Sequence, residues 1–355
     1  MDKKEGLEYI LHSKLAPLLK KESVTDVSYN GESIFVVDNR NGRTKSDISF
    51  TEEEARDFIR QIANICEKQF SVSSPKLDVT LGPYRVNAMH QSIGRVNGRE
   101  AVTFAIRIAS NRIRIYEDPY FLTPEVKELF DVLISSHQSI LIGGLPGTGK
   151  TELQKYLLTR ANKDQRVILI DNILELETIR QYIDYDLTMW QYNENNHNAT
   201  LSMLIKEALR NIPDWLILAE GRGKEMLDIL NSAVTGLPII TTLHSFDGKS
   251  IPTRMARMVM LNEDSSRYED ILSDIYYHFR YLVYLKKDKD SITGGIKRYI
   301  SSIIHLDASG KMKEIYSDNL EKKKYSKIDR DSLLLLKIKK NQTAFIKAFI
   351  GEGYE

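Results

Sequence analysis

The sequence predicts an α/β protein in two parts, a larger domain with a parallel sheet under covering helices and a smaller α+β domain before it. Three observations lead there. A chain of 355 residues is about twice the usual length of one domain. From about residue 122 onward, short apolar runs alternate with helical periods, the order that builds a parallel sheet. Those runs are nearly continuous rather than alternating, as in strands buried on both faces.

In the first part, Asn30-Gly31 and Asn41-Gly42 flank the β-rich run Ile34–Val37. Asn and Gly tolerate the positive φ of tight turns, so a small meander is predicted. A helix follows, with a capping box of Thr51 and Glu54 and with Ala55, Phe58, Ile59, Ile62 and Cys66 on one face. Residues 85–93 and 101–109 read as two further strands. The stretch from Ser110 to Pro119 has no helical period. The boundaries that follow are 1–110 for the smaller domain, 111–121 for a linker and 122–355 for the larger domain. The larger domain opens on a helix capped by Thr123, with Pro124 at its first position and Val126, Leu129, Phe130, Leu133 and Ile134 on one face.

Composition sets limits on function. Lys and Arg total 50 against 49 Asp and Glu, for a net charge of +1. No whole-protein field for capturing nucleic acid is expected from that balance. Cys66 is the single cysteine, which excludes an internal disulfide and a cysteine zinc cluster. No apolar run approaches the length of about 18 residues that spans a bilayer, and the N-terminus shows no signal-peptide pattern. A cytoplasmic protein is therefore expected.

Four apolar runs carry the chemistry at their ends: Ser139–Gly143, Val167–Ile170, Trp215–Ala219 and Ile239–Leu243. The first leads into Gly144, Leu145, Pro146, Gly147, Thr148, Gly149, Lys150 and Thr151, the second into Asp171, the third into Glu220 and the fourth into His244. Ligands of open α/β sheets bind outside the carboxyl ends of the strands, so these four termini are predicted to share one crevice. The first set matches G-x-x-x-x-G-K-[ST] between a strand and a helix. Its glycines let backbone N–H groups close around phosphates, Lys150 reaches the β/γ-phosphates, and the Thr151 hydroxyl ligates Mg²⁺. A nucleotide, ATP, and Mg²⁺ are the expected ligands. Glu220 is positioned to hold the metal through water or to polarise an attacking water, unless it is an ordinary solvated strand-end carboxylate. His244 alone could equally be a hydrogen-bonded core histidine. Arg107 lies between the alternating apolar residues Phe104, Ile106 and Ile108 and so points off the other face. It could stabilise charge on a transferring phosphoryl group or simply be solvated. His90, His137, His197, His278 and His305 show no metal-ligand spacing, and Trp190 and Trp215 read as packing residues.

At DWLILAEGRG, the helix TLSMLIKEALRNIPD before it and TTLHS after it, the chain resembles the secretion ATPase superfamily of type II/IV secretion, type IV pilus and Tad systems. It is closest to the type IV secretion/Tad branch. SVTDVSYNG, SSPKLDVTLGPYRVNA and VTFAIRI match in the same order, so the resemblance covers roughly residues 15–315. It implies a RecA-like P-loop motor domain behind a smaller α+β domain, assembled as a homo-hexameric ring. Hydrolysis of ATP would drive secretion, pilus assembly or conjugative transfer, with inner-membrane platform or secretion-channel proteins as partners and peripheral attachment through them. Carried over residue by residue, Gly144–Thr151 match Walker A with Glu152 next to it, and Glu220 matches the Walker B glutamate. Asp171 and Glu175 match the acidic segment, His244 the nucleotide-sensing histidine, and Arg210 and Arg222 the arginines around Walker B. Arg85 and Arg107 match arginines that reach toward the phosphates. Thr151 and Glu220 are the implied metal-side residues. Asn172, Leu237, Ala219 and Glu152 depart from the family pattern, where a second acid, a histidine, a glycine and a threonine are usual.

Two alternatives follow from the same features. A nucleic-acid translocase would use a similar ring, but the near-zero charge counts against it. A nucleotide-responsive scaffold with little turnover is motivated by Asn172 and Leu237. The run from Lys286 to Asp290 reads as a solvated hairpin loop. The segment LLLLKIKK reads as a terminal amphipathic helix packed on its own domain, or else as a partner- or membrane-facing tail.

Overall fold

The computed structural model describes residues 3–39, 41–109, 112–118, 120–172, 175–193, 196, 198–262, 267–289, 295–307 and 309–351. Two units result: Met1–Asn111 with Asp288–Lys297, and Arg112–Lys287 with Arg298–Glu355.

The smaller unit contains α1 (Lys3–Leu11), α2 (Ala16–Leu19), β1 (Val24–Tyr29), β2 (Ile34–Asp38), β3 (Gly42–Lys45), α3 (Glu52–Ile65), β4 (Lys76–Leu81), β5 (Tyr84–Met89), the two-residue strands β6 (Arg95–Val96) and β7 (Arg99–Glu100), and β8 (Thr103–Ile108). Six strands form an antiparallel sheet in the order β3-β2-β1-β8-β5-β4. The predicted meander is β1 to β3. Asn30 Oδ1 closes its first turn by accepting from the N–H groups of Glu32 and Ser33 at 3.0 and 2.8 Å. Both halves of the capping box form on α3: Glu54 N donates to Thr51 Oγ1 at 3.1 Å and Thr51 N to Glu54 Oε2 at 2.9 Å. The helix lays Phe58 against Phe104 of β8, ring centroids 5.6 Å apart. The strand read over 85–93 ends earlier, at Met89. His90 Nδ1 accepts from Ser92 N at 3.1 Å and Ile93 N returns to His90 O at 2.9 Å, which turns the chain out of the sheet.

The larger unit contains α4 (Pro124–Ser135), β9 (Ile140–Gly144), α5 (Lys150–Leu158), β10 (Arg166–Asp171), β11 (Asp186–Gln191), α6 (Leu201–Arg210), β12 (Trp215–Leu218), α7 (Met226–Val234), β13 (Ile239–Leu243), α8 (Ile251–Val259), α9 (Tyr268–His278), β14 (Tyr281–Lys289), β15 (Ile296–Leu306), β16 (Met312–Asp318), β17 (Lys323–Tyr325), α10 (Arg330–Leu333) and α11 (Thr343–Phe345). Its sheet runs β11-β10-β12-β13-β9-β14-β15-β16-β17. The first six strands are parallel, and β15 to β17 extend the sheet with antiparallel pairs. Alternate residues of one strand enter different cores. Ile140 and Ile142 pack with α4, α5 and the C-terminal segment, and Leu141 packs with α7, α8 and α9. Each such side chain removed from water on both faces contributes about 1.5–3 kcal/mol, so the continuous apolar runs have a direct energetic cause.

Three further expectations differ from what is observed. The stretch expected as a linker packs into the larger unit: Ile113, Ile115 and Phe121 are buried in its core. Arg114 N donates to Glu152 Oε2 at 2.8 Å, and Tyr116 Oη lies 2.6 Å from Thr159 Oγ1. Those apolar side chains cover α5, which a solvated linker would leave exposed. Lys286–Lys289 belong to β14 rather than to a loop, and Asp290, the last residue of that expected loop, lies outside the described residues. The C-terminal segment is not a single amphipathic helix. It folds as β17, α10, α11 and a π-helical turn at Ile346–Ile350, with Phe345 and Phe349 in the core.

Among the described residues no helix is long and apolar enough to cross a membrane, and none of their His, Cys, Asp and Glu side chains form a cluster that could hold a metal ion by themselves. Burial lowers the pKa of His137, His278 and His305 below the ordinary imidazole value. The unfolded chain therefore binds protons near pH ~6.5 that the folded chain refuses, and stability falls as pH drops through that value. The urea midpoint at pH 5.5 is expected to lie below that at pH 7.5. Equal midpoints would contradict the burial of these rings.

Candidate active site

The site is built from the carboxyl ends of β9, β10, β12 and β13, four neighbouring parallel strands. After β9 the chain makes a tight loop into α5. Gly149 caps that helix at φ +99°, a left-handed conformation that strongly favours glycine. At Gly144 a Cβ would stand 2.6 Å from Thr148 Oγ1 and 2.9 Å from Leu285 O, so no side chain fits between the loop and β14. Thr148 is buried and donates to Leu145 O at 2.9 Å, which closes the loop on itself. Leu145, Pro146 and Gly147 form its exposed rim, and Thr151 is half-buried on the first turn of α5.

Lys150 is 8% exposed. Its Nζ donates to Gly144 O at 3.0 Å and to Leu145 O at 3.2 Å, and lies 3.2 Å from His244 Nδ1. Nδ1 stands equally close to Gly144 O, also at 3.2 Å, so it accepts from the ammonium in one tautomer and donates to the carbonyl in the other, while the second ring nitrogen, Nε2, faces Glu220. That nitrogen lies 2.8 Å from Glu220 Oε1, at an angle that leaves Oε1 buried without a hydrogen bond. Glu220 Oε2 accepts from Arg222 Nε and Nη2 at 3.0 and 2.8 Å. Burial works against the Arg222 charge, but the bonds and charge of Glu220 more than offset it and hold its pKa above the ordinary value. Lys150, His244, Glu220 and Arg222 thus form one continuous chain of polar contacts.

Asp171 ends β10 and is 2% exposed. The hydrogen bond from Ala219 N to Ile170 O keeps this end of β10 beside that of β12. Ile173, Leu174 and the side chain of Glu175 lie outside the described residues. Four other candidates stand elsewhere. Arg210 is on the last turn of α6, ahead of the amino end of β12, where it pairs with Glu207 at 2.8 Å. It does not join the cluster at the carboxyl ends. Glu152, expected to line the nucleotide, turns to Arg114 N and to Lys155 Nζ, the latter at 3.1 Å. It ties α5 to the segment before α4. Arg85 and Arg107 belong to the smaller unit, directly opposite one another on β5 and β8. Arg85 makes a two-pronged pair with Asp78, both bonds 3.1 Å.

Two side chains near the cluster were not singled out from the sequence. Gln154 is fully buried and its Nε2 donates to Leu218 O at 2.8 Å, locking α5 onto the end of β12. A polar residue beside Leu153 on a buried helical face was its available signal. Arg298 Nε donates to Gly147 O at 2.8 Å. No local pattern around Arg298 announces that contact.

Cation donors and a carboxylate at one crevice suit a polyphosphate with its metal. The buried, unsatisfied Glu220 Oε1 is the kind of acceptor that a metal-bound water would satisfy.

Comparisons with known proteins bear on the family and the fold. Residues 84–275 match the family described as Type II/IV secretion system protein. An uncharacterized protein of Bacillus anthracis is 28% identical over 300 residues, which cover 82% of this chain and 66% of that protein. The type IV secretion system protein VirB11 of Brucella suis biovar 1 is 27% identical over 206 residues, 56% of this chain and 56% of its own length. The chain therefore spans less than two thirds of either relative. The X-ray structure of the Yersinia pseudotuberculosis ATPase DotB shares the fold, with a TM-score of 0.61 at 15% identity over 86% of this chain and 78% of that one. The RecA-like α/β architecture expected from the sequence is borne out. With its family match covering more than half of its residues, the chain belongs to the type II/IV secretion system protein family.

Proposed function

We propose that the chain is an ATP-hydrolysing motor, working as a homo-hexameric ring that energises secretion, pilus assembly or conjugative transfer. The observation that carries this reading is the contact chain from Lys150 through His244 to Glu220 beside the phosphate loop. An ammonium, an imidazole and a carboxylate at the mouth of a glycine loop supply what phosphoryl transfer needs. Family membership supports the reading, as does the VirB11 relative, itself described as a type IV secretion system protein.

In this reading the backbone N–H groups of Gly144–Thr151 cradle the phosphates of ATP and Lys150 moves from its loop carbonyls to the β/γ-phosphates. Thr151 and Glu220, the latter through water, are the residues that would hold Mg²⁺. Bound there, Mg²⁺ supplies charge neutralisation for the β/γ-phosphate oxygens. Glu220 orients the attacking water, with Asp171 and Glu175 as its acidic neighbours, and Arg222 holds the Glu220 carboxylate in one rotamer. His244 senses the nucleotide by choosing between Lys150 and the phosphate. Arg85, Arg107 and Arg210 are the further arginines that the family resemblance assigns to the reaction. The protein works on the cytoplasmic face of the membrane, attached through platform or channel partners.

Purified protein given ATP and Mg²⁺ is expected to release phosphate, and chelation of the metal or Lys150→Ala is expected to abolish release. Failure of the purified protein to bind ATP would overturn the motor reading.

A further inference from the structure

The middle of the phosphate loop is gripped from outside by two cations that belong to no recognised motif. Arg298, near the start of β15, donates from Nε to Gly147 O at 2.8 Å. Its Cδ lies 3.9 Å from where a Cβ of Gly149 would be. From the neighbouring strand β14, Lys287 brings Nζ to 3.1 Å of the corresponding Cβ position on Gly147. Two strands next to each other in the sheet thus deliver a guanidinium and an ammonium to one glycine.

That bond has a geometric consequence. A trans peptide is planar, with its C=O and N–H on opposite sides. Fixing the Gly147 carbonyl toward Arg298 therefore aims the Thr148 N–H the other way, away from β15. Loops of this kind bind anions only when successive N–H groups converge. The charge balance points in the same direction. Burial lowers the pKa of Arg298, and the charge of Arg114 lowers it further, while Asp118 and Glu152 act in the opposite sense. Glu152 is already engaged with Arg114 N and Lys155. An anion at the loop would offset the charge that burial and Arg114 disfavour on Arg298.

We propose that Arg298 is a positioning residue of the phosphate loop, holding the Gly147–Thr148 peptide in its phosphate-binding orientation, with Lys287 as a second cation that strengthens the hold on a polyphosphate. This rests on the reading of the loop as a nucleotide site and adds two residues to it. Both come from the β14–β15 hairpin, whose outer part, Asp288–Lys297, belongs to the smaller unit.

The test is titration of the full-length protein with Mg²⁺-ATP, together with steady-state turnover. Arg298→Met keeps the apolar stem and removes the charge and donor. It is expected to raise Kd and KM about tenfold, the worth of one charge-assisted hydrogen bond, with kcat within about threefold of wild type. Arg298→Lys restores a cation without the planar fork and is expected to recover part of the loss. Lys287→Ala is expected to raise Kd by a smaller factor that shrinks at high salt. Wild-type binding together with a folded Arg298→Met protein of unchanged Kd and KM overturns this inference alone. Wild-type protein that ignores ATP overturns the nucleotide reading and this inference with it. Should Arg298→Met fail to fold, Arg298→Lys decides: a Kd equal to wild type overturns the inference, and a raised Kd in a folded protein supports it.

Discussion

Glu220→Gln is expected to lower ATP turnover at least about a hundredfold while leaving ATP affinity within about twofold of wild type. The size follows from what the carboxylate touches. Its Oε2 is held by two bonds from Arg222 and its Oε1 faces His244 at 2.8 Å. A Gln keeps the shape and can offer its oxygen to Arg222. Its amide nitrogen then faces His244 Nε2 where a carboxylate oxygen stood, and no negative charge remains to orient a water. Binding depends on the loop and Lys150, which the substitution leaves alone. Phosphate release and a nucleotide titration on the same preparation separate the two effects. Unchanged turnover removes Glu220 from the chemistry.

The second large effect concerns stability. Phe349→Ala is expected to cost about 3–5 kcal/mol, the usual loss for emptying a buried phenylalanine site. Phe349 is fully buried, its ring 5.4 Å from Phe345 and 5.7 Å from Tyr325. The surrounding backbone is pinned, because Ile328 N donates to Phe349 O and Phe345 N to Glu128 Oε2, each at 2.8 Å. The site therefore has little freedom to collapse around a cavity. Leu334→Ala is the control: Leu334 is 79% exposed and its loss should be nearly silent. Both tryptophans, Trp190 and Trp215, lie in the larger unit, so their fluorescence in urea follows that unit's unfolding. A Phe349→Ala midpoint equal to wild type would mean that the C-terminal turn is not part of the cooperative core.

How far the sequence alone could be read depended on how local each cause was. The Thr51–Glu54 box lies within one turn of helix, and it formed as expected. The four buried runs were legible because strands covered on both faces leave no room for polar residues. The extent of the strand after Arg85 was misread because His90 closes a turn through its own side chain, which an apolar pattern does not reveal. The segment expected as a linker illustrates the opposite difficulty. Ile113 and Ile115 form too short an apolar pattern to read as structure, and only the exposed side of α5 gives them something to cover. Glu152 was assigned by adjacency to Thr151, yet its carboxylate is drawn to an N–H 38 positions earlier in the chain.

The parallel sheet, the glycine loop after its first strand and the polar residues at the ends of the next three are written in short stretches of the chain. Spacing, apolar burial and glycine's backbone freedom act over a few residues and leave local marks. Which of those side chains touch is settled by the packing of distant segments. It joined Lys150 to His244, 94 positions apart, and Gly147 to Arg298, 151 positions apart, and it left Arg210 with Glu207. Such contacts depend on strand order and on the reach of single side chains. Neither is encoded in any short stretch, because packing energy is shared across the whole sheet before it fixes a single pair.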